Sequence, residues 1–374
     1  MKCPRCQTRD PRYFAKIQGR YYCRRCIQFG RIFVDEPLKS SGYEKNDKHV
    51  YYALEYELSK RQREISDRLV ENYNTGKNSI VLAVCGSGKT EIVYDVMVTA
   101  LNKQQRVCFA VPRKTLVVEL GERIKKQFKG IEPALFYGGK SGDESSLLII
   151  CTTHQLYRFN KTFDLLILDE IDAFPYRHNA LLEDLLYQSI RGHYVFMSAT
   201  LDGKDFPDGE LLILNRRYHD VDLPVPKWQS TRFFPIGLLL SQYLKKWQKK
   251  VLIYVPCIED LNRYDLYFKG YRYKKVSSQT VEVDVYIEEL KQGKIDFIIT
   301  TTLLERGVTI VDVQVLVIEA SHPVYTKEVL IQIAGRVGRH PKYPTGEVIF
   351  LSKQKSESIQ SCIETIIHLN QMNV

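Results

Sequence analysis

The segment AVCGSGKT (83–90), lying between an apolar run and the helix-like stretch EIVYDVMVTAL, constrains this chain more than any other feature. Gly86 and Gly88 permit backbone conformations that turn successive N–H groups toward a phosphate. A helix starting just beyond them adds the positive end of its dipole. Such a loop needs a strand to deliver it and a helix to receive it, which calls for an α/β sheet. The rest of the chain supplies one. Apolar runs recur at 80–85, 107–111, 147–151, 165–170 and 194–198, and a second series follows at 251–255, 296–301, 313–320 and 347–351. Near-continuous apolar runs spaced by helical stretches, such as 258–269 and 325–334, predict parallel sheets covered on both faces. RRYHDVDLPVPKW (216–228), with Pro224 and Pro226, reads as the connector between two α/β lobes.

The residues of the loop have distinct expected roles. Gly86, Ser87 and Gly88 would cradle the phosphates of ATP, Lys89 would reach the β- and γ-phosphates, and the Thr90 hydroxyl would ligate Mg²⁺. Seventy-nine residues after Thr90, LLILDEIDAF (165–174) carries Asp169 and Glu170 at the end of a strand, where parallel sheets bind ligands. Asp169 would hold Mg²⁺, and Glu170 would orient and deprotonate the attacking water. Asp172 reads as a coupling residue. In the second lobe Arg336 and Arg339 stand three apart, and arginine's planar fork suits the charge of a γ-phosphate. With loop and arginines on different lobes, ATP would favour closure and hydrolysis would release it.

Cysteine spacing adds a separate element. Cys3-x2-Cys6, sixteen residues, then Cys23-x2-Cys26 matches a closed four-thiolate Zn²⁺ site, although paired redox motifs share the CxxC unit. A segment of about 35 residues has little core of its own, so metal binding would supply much of its folding energy. It holds nine of the chain's basic residues against Asp10 and Asp35, hence +7 of a formal +10. Its Arg12, Tyr13, Phe14, Tyr21 and Tyr22 suit base stacking and phosphate neutralisation, and equally suit docking of a partner. The other five cysteines stand singly, in keeping with a reducing cytoplasm. No apolar run reaches the roughly 18–20 residues that span a bilayer, and MKCPRCQTRD lacks the apolar region of a secretion signal.

Further segments, in order, resemble the motifs of superfamily 2 helicases and translocases. LSKRQ (58–62) resembles the upstream adenine-reading motif, with Gln62 as the reader. VPRKTL (111–116) and TTHQL (152–156) resemble the first-lobe strand contacts, placing Arg113 and Thr153 on DNA. SAT (198–200) resembles the motif that couples hydrolysis to grip. TTTLLERGVTI (300–310) and QIAGRVGR (332–339) resemble second-lobe motifs, with Thr301 on DNA and Gly307 beside the nucleotide. Ala83, where a strict phosphate loop has glycine, is the helicase form. The resemblance spans 58–339 and implies two RecA-like lobes in tandem behind a small zinc module. The corresponding division is a finger at 1–35, a linker at 36–57, and lobes at 58–222 and 223–374.

The four-cysteine finger, DEIDAFP, TTHQL and TLLERGVT together resemble the ComFA family, the competence ATPases of Gram-positive bacteria. RYH (217–219) and LPVP (223–226) are features shared with the restart helicase PriA. The resemblance implies an ATPase stimulated by single-stranded DNA at the cytoplasmic side of an uptake channel. It also implies ComFC-like and DprA-like partners and a peripheral position at the inner face of the membrane. Two other readings stay open: a duplex-unwinding restart or repair helicase of the PriA or RecG kind, and a zinc-dependent DNA-binding adaptor switched by ATP.

Overall fold

Strands buried on both faces dictate the architecture. In the computed structural model, which describes residues 1–38, 42–172, 179–200, 208–302 and 310–372, they form two separate sheets. Two units result: Met1–Leu82 with Lys89–Ile213, and Ala83–Gly88 with Leu214–Val374.

The first unit opens with a hairpin of β1 (Phe14–Ile17) and β2 (Arg20–Cys23), then β3 (Tyr51–Tyr52) and α1 (Lys60–Asn74). Next come β4 (Asn78–Ala83), α2 (Tyr94–Asn102), β5 (Val107–Val111), α3 (Lys114–Gln127) and β6 (Phe128–Lys129). The unit ends with β7 (Ala134–Phe136), β8 (Leu148–Thr152), β9 (Phe163–Asp169), α4 (Ala180–Ser189), β10 (Ile190–Ser198) and β11 (Gly209–Leu214). Seven strands make one sheet in the order β11-β4-β10-β9-β5-β8-β7. Every residue of β5 and β8 is buried, the mark of a central parallel strand. α1 buries Gln62, Ile65, Ser66, Leu69, Asn72 and Tyr73, a helical stripe. Its start is fixed by a capping box: the Ser59 hydroxyl accepts from the Gln62 N–H while the Gln62 side chain accepts from the Ser59 N–H.

The second unit contains β12 (Lys227–Ser230), α5 (Ile236–Trp247), β13 (Lys250–Tyr254), β14 (Tyr273–Val276), α6 (Val283–Lys291) and β15 (Phe297–Thr300). It closes with β16 (Val313–Ile318), α7 (Lys327–Ala334), β17 (Val348–Ser352) and α8 (Glu357–Gln371). Its sheet runs β12-β17-β16-β13-β15-β14, with every pairing parallel. Two expectations are corrected. Residues 258–269 form two 3₁₀ turns, Glu259–Asn262 and Asp265–Phe268, rather than one helix. There the Asp260 carboxylate accepts the Cys257 N–H and competes with a regular helix start. The connector also ends earlier than 228, because Lys227 and Trp228 already belong to β12.

The polar stretch before α1 carries little regular structure yet is tied to the first unit. The Tyr43 hydroxyl donates to the Gln104 carbonyl, and Asn46 bonds both Gln104 and Gly130.

One carboxylate fastens the edge of the second sheet. Glu347 accepts from Lys246 (2.7 Å), Trp247 (2.6 Å) and Lys227 (3.0 Å). These donors, Lys246 foremost, pull its carboxyl from 4.5 to about 2. A depressed acid contributes stability above its unfolded value and loses it as the pH falls toward its folded one. Glu347→Gln is therefore expected to cost the second unit about 1–2 kcal/mol at pH 7 by denaturant titration. The wild-type advantage should fade from about pH 4.5 toward 2. Equal stability of the two proteins at pH 7 would refute this.

Candidate active site

β4 delivers the phosphate loop, and its two glycines take the left-handed backbone expected of them, Gly86 at φ +81° and Gly88 at +72°. The following helix starts later than predicted. Thr90 has helical backbone angles, a 3₁₀ turn spans Glu91–Val93, and α2 begins only at Tyr94.

In the first unit the two carriers of phosphate chemistry meet. Lys89 Nζ lies 2.7 Å from Asp169 Oδ1, with side chains only 20% and 14% exposed. Burial raises the Asp169 carboxyl above its ordinary value, and the Lys89 charge opposes that shift. Glu170 sits at φ +58°, a costly conformation for a non-glycine residue, and its N–H donates to Asp169 Oδ1 at 2.8 Å. Asp169 and the Thr90 hydroxyl are the groups able to hold a divalent cation here. Behind them Asp172 Oδ2 accepts from Thr200 Oγ1 at 2.7 Å, joining the DEID segment to SAT. Gln62 is buried in the first turn of α1 with Oε1 engaged by the Ser59 N–H.

The paired arginines lie in the second unit, in the turn after α7 rather than on a helix face. Arg336 is buried; Arg339 is half-buried, and its Nε donates to the Gly335 carbonyl at 2.8 Å. That unit also takes in 83–88. A Cβ at Gly335 would stand 2.4 Å from the Cys85 Cβ, so only glycine fits there, and one at Gly86 would stand 3.7 Å from Arg339 Cγ. Gly307 lies outside the described residues, as do 173–175 of the DEIDAFP segment.

The expected strand contacts all follow parallel strands. Arg113 caps α3 just beyond β5, and Thr301 follows β15, half-buried. Thr153 opens a 3₁₀ turn (Thr153–Arg158) after β8. It is 2% exposed, and its hydroxyl has no hydrogen-bond partner among the described residues, so it is not presented at the surface here.

The four cysteines converge. Cys3, Cys6, Cys23 and Cys26 are fully buried, and their sulfurs lie within 4.8 Å of one another. The Cys3–Cys26 and Cys6–Cys23 distances are 3.7 Å each. Four sulfurs about 2.3 Å from a tetrahedral zinc would stand roughly 3.8 Å apart, whereas a disulfide needs about 2.05 Å. The donor set therefore fits Zn²⁺. Hydrogen bonds with Cys26 and then Cys6 pull the Cys3 thiol down, and Cys26 is pushed up in exchange.

Spacing gave no sign of where this module sits. Phe29 stacks on Tyr157 at 4.8 Å, the Arg5 guanidinium lies 5.5 Å above the same ring, and Arg25 bonds Asp184 of α4. The module thus rests on the 3₁₀ turn that includes THQL and on α4, through partners that no local pattern connects. The contacts made by Arg217, Tyr218 and His219 escaped the sequence in the same way.

Two parallel α/β lobes, the first carrying the Lys89–Asp169 pair, define a superfamily 2 helicase core, an ATP-hydrolysing enzyme. The DEAD/DEAH box helicase family matches residues 60–207 and the helicase conserved C-terminal domain matches 236–341. Solved structures agree on the fold. "S. cerevisiae Dbp5 bound to RNA and ADP BeF3" aligns with a TM-score of 0.59 at 18% identity, covering 83% of this chain and 88% of that one. Helicase Lhr of Mycobacterium smegmatis, bound to ssDNA and AMP-PNP, aligns at 0.55 and 15% identity, covering 83% and 50%.

Sequence similarity is more specific. Competence protein ComFA of Bacillus subtilis (strain 168) is 33% identical over 400 residues, covering 100% of this chain and 85% of that protein. ComFA of Streptococcus pneumoniae (strain ATCC BAA-255 / R6) is 34% identical over 392 residues, covering 99% and 90%. The chain belongs to the ComFA family. A more distant relative, the ATP-dependent DNA helicase RecG of Aquifex aeolicus (strain VF5), is 23% identical over 378 residues, covering 88% of this chain and 45% of that protein. Among the described residues no helix is long and apolar enough to cross a membrane.

Proposed function

We propose that this chain is a motor that couples ATP hydrolysis to movement along single-stranded DNA during DNA uptake in natural competence. The observation that carries this reading is its similarity to two competence proteins over 99–100% of its length. The chemistry is consistent with it. Lys89 and the loop glycines would bind the phosphates, Thr90 and Asp169 the Mg²⁺, and Glu170 would prepare the water. Gln62 and Gly307 would complete the nucleotide site, and Arg336 and Arg339 would stabilise the charge on the transferred phosphoryl group. Cys3, Cys6, Cys23 and Cys26 would hold Zn²⁺ as a structural centre. Arg113, Thr153 and Thr301 would grip the strand through its backbone, with Thr153 uncovered as the lobe changes state. A peripheral position at the inner face of the membrane and ComFC-like and DprA-like partners belong to the same reading.

Grip through phosphate predicts salt dependence with little regard to sequence. ATP turnover should rise several-fold on adding single-stranded DNA, at half-saturating concentrations that climb with salt. Arg113→Ala should lower the slope of log affinity against log salt by about 0.7, one single-strand phosphate contact. Turnover indifferent to DNA would remove the proposal. The RecG similarity favours a second reading, duplex unwinding. Strand separation of a forked duplex at the pace of ATP turnover would move the assignment there.

A further inference from the structure

Three consecutive side chains in the stretch leading to β12 converge on one turn of the same unit. Arg217 donates from Nη1 to the Gly338 carbonyl at 2.5 Å and from Nη2 to the Gly335 carbonyl at 3.5 Å. The Tyr218 hydroxyl donates to the Arg339 carbonyl at 3.2 Å. His219 Nε2 lies 3.1 Å from the Gly338 carbonyl. A carbonyl only accepts, so the ring bonds it through Nε2–H, and burial lowers the ring's titration. The target turn, 335–339, is the one that bears Arg336 and Arg339.

The fit is specific to these groups. The turn follows the end of α7, where carbonyls lack helical partners, and a planar guanidinium reaches two of them at once. Arg217 is 2% exposed, and the donors it places on the turn are Nη1 and Nη2, while Nε has no hydrogen-bond partner among the described residues. Gly338 stands at φ +71°, and a Cβ there would come within 2.3 Å of the Pro344 oxygen and 2.7 Å of Arg217 Nη1. Arg339 Nε shares the Gly335 carbonyl with Arg217, so the finger and its holder meet on one atom.

We infer that Arg217, Tyr218 and His219 are positioning residues for hydrolysis, a clamp that fixes the turn from which Arg336 and Arg339 act. The inference rests on the proposed role of those two arginines. A charge that stabilises a transition state loses its effect when displaced by about 1 Å, a loss on the order of 10²-fold.

The test measures kcat and KM for ATP, with thermal unfolding, on full-length Tyr218→Phe, Arg217→Lys, Arg336→Ala and Arg339→Ala, and on each clamp variant combined with the Arg336→Ala/Arg339→Ala double substitution. Tyr218→Phe removes one hydroxyl from a side chain that is already exposed, so it tests the clamp even if Arg217→Lys fails to fold. Expected are a several-fold fall in kcat for Tyr218→Phe and a fall of about 10²-fold for Arg217→Lys. KM and melting temperature should hold, and neither variant should lower kcat further once both Arg336 and Arg339 are alanine. Wild-type kcat in Tyr218→Phe and in folded Arg217→Lys, while Arg339→Ala is strongly impaired, would overturn the clamp alone. Falls that simply multiply with that of the Arg336→Ala/Arg339→Ala double variant would also overturn it. Unimpaired turnover in both Arg336→Ala and Arg339→Ala would instead overturn the parent reading.

Discussion

Alanine at Lys89 is expected to reduce ATP turnover on the order of 10³-fold or more, the loss typical when a preorganised charge at a transferring group is removed. Two effects combine. The ammonium leaves the phosphates, and Asp169 loses the opposite charge 2.7 Å away that restrains its upward shift. A buried carboxylate without its cation takes up a proton rather than stay charged. The variant should thus bind Mg²⁺·ATP poorly near neutral pH as well as hydrolyse it slowly. Stability carries an independent signature. An acid raised in the folded state gives stability that is full below its unfolded value, 3.8, and is lost as the pH rises through the folded one. Lys89→Ala should therefore lose stability more steeply than wild type as the pH climbs from 4 upward. Turnover within tenfold of wild type would exclude Lys89 from the site. Glu170→Gln is the companion measurement, since it leaves that ion pair in place and should retain nucleotide without cleaving it.

The second large effect is expected from metal removal. Structural zinc in small modules contributes roughly 10–16 kcal/mol of apparent binding energy, most of it realised as folding. Here the four cysteines belong to the buried cluster that includes Phe136, Phe163 and Phe196 of the first unit, with Phe14 and Phe29 packed against it. Loss of the metal should therefore extend past residue 35. Stoichiometric zinc is expected by elemental analysis, and Cys3→Ser or a strong chelator should lower the melting temperature of the first unit by several degrees. Tyr157 and His154 would lose their cover, and stimulation by single-stranded DNA should fall with them. A zinc-free protein with unchanged melting would refute the site, and full DNA stimulation in Cys3→Ser would refute its link to the strand.

Sequence patterns found the centre of each sheet and missed every edge. The nine predicted runs became β4, β5, β8, β9, β10, β13, β15, β16 and β17. Within the two large sheets the strands left uncalled, β7, β11, β12 and β14, are the ends. An interior parallel strand is covered on both faces and must be apolar throughout, whereas an edge strand such as YKKV or KWQS has mixed polarity and no clear period. The chemistry shows the same asymmetry. Lys89, Asp169 and Glu170 stand out because loop and strand-end motifs have local spacing. The covering of Thr153, the burial of Arg336 and the grasp of the 335–339 turn depend on contacts between residues far apart in the chain. R-Y-H was visible as a string, but its partners lie about 120 positions later.

The seating of the cysteine module on Tyr157 and Asp184 also sets an order for biosynthesis. Residues 3–26 leave the ribosome well before the surface that receives them, which is made more than a hundred residues later. At about 5–20 residues per second that interval is roughly seven to thirty seconds. Metal loading can finish within it, but the apolar underside carrying Phe14 and Phe29 must wait uncovered. A nascent chain starved of zinc in that window would meet chaperones with two exposed surfaces instead of one. Yield in the cell should then depend on zinc supply during synthesis more than on zinc added afterwards.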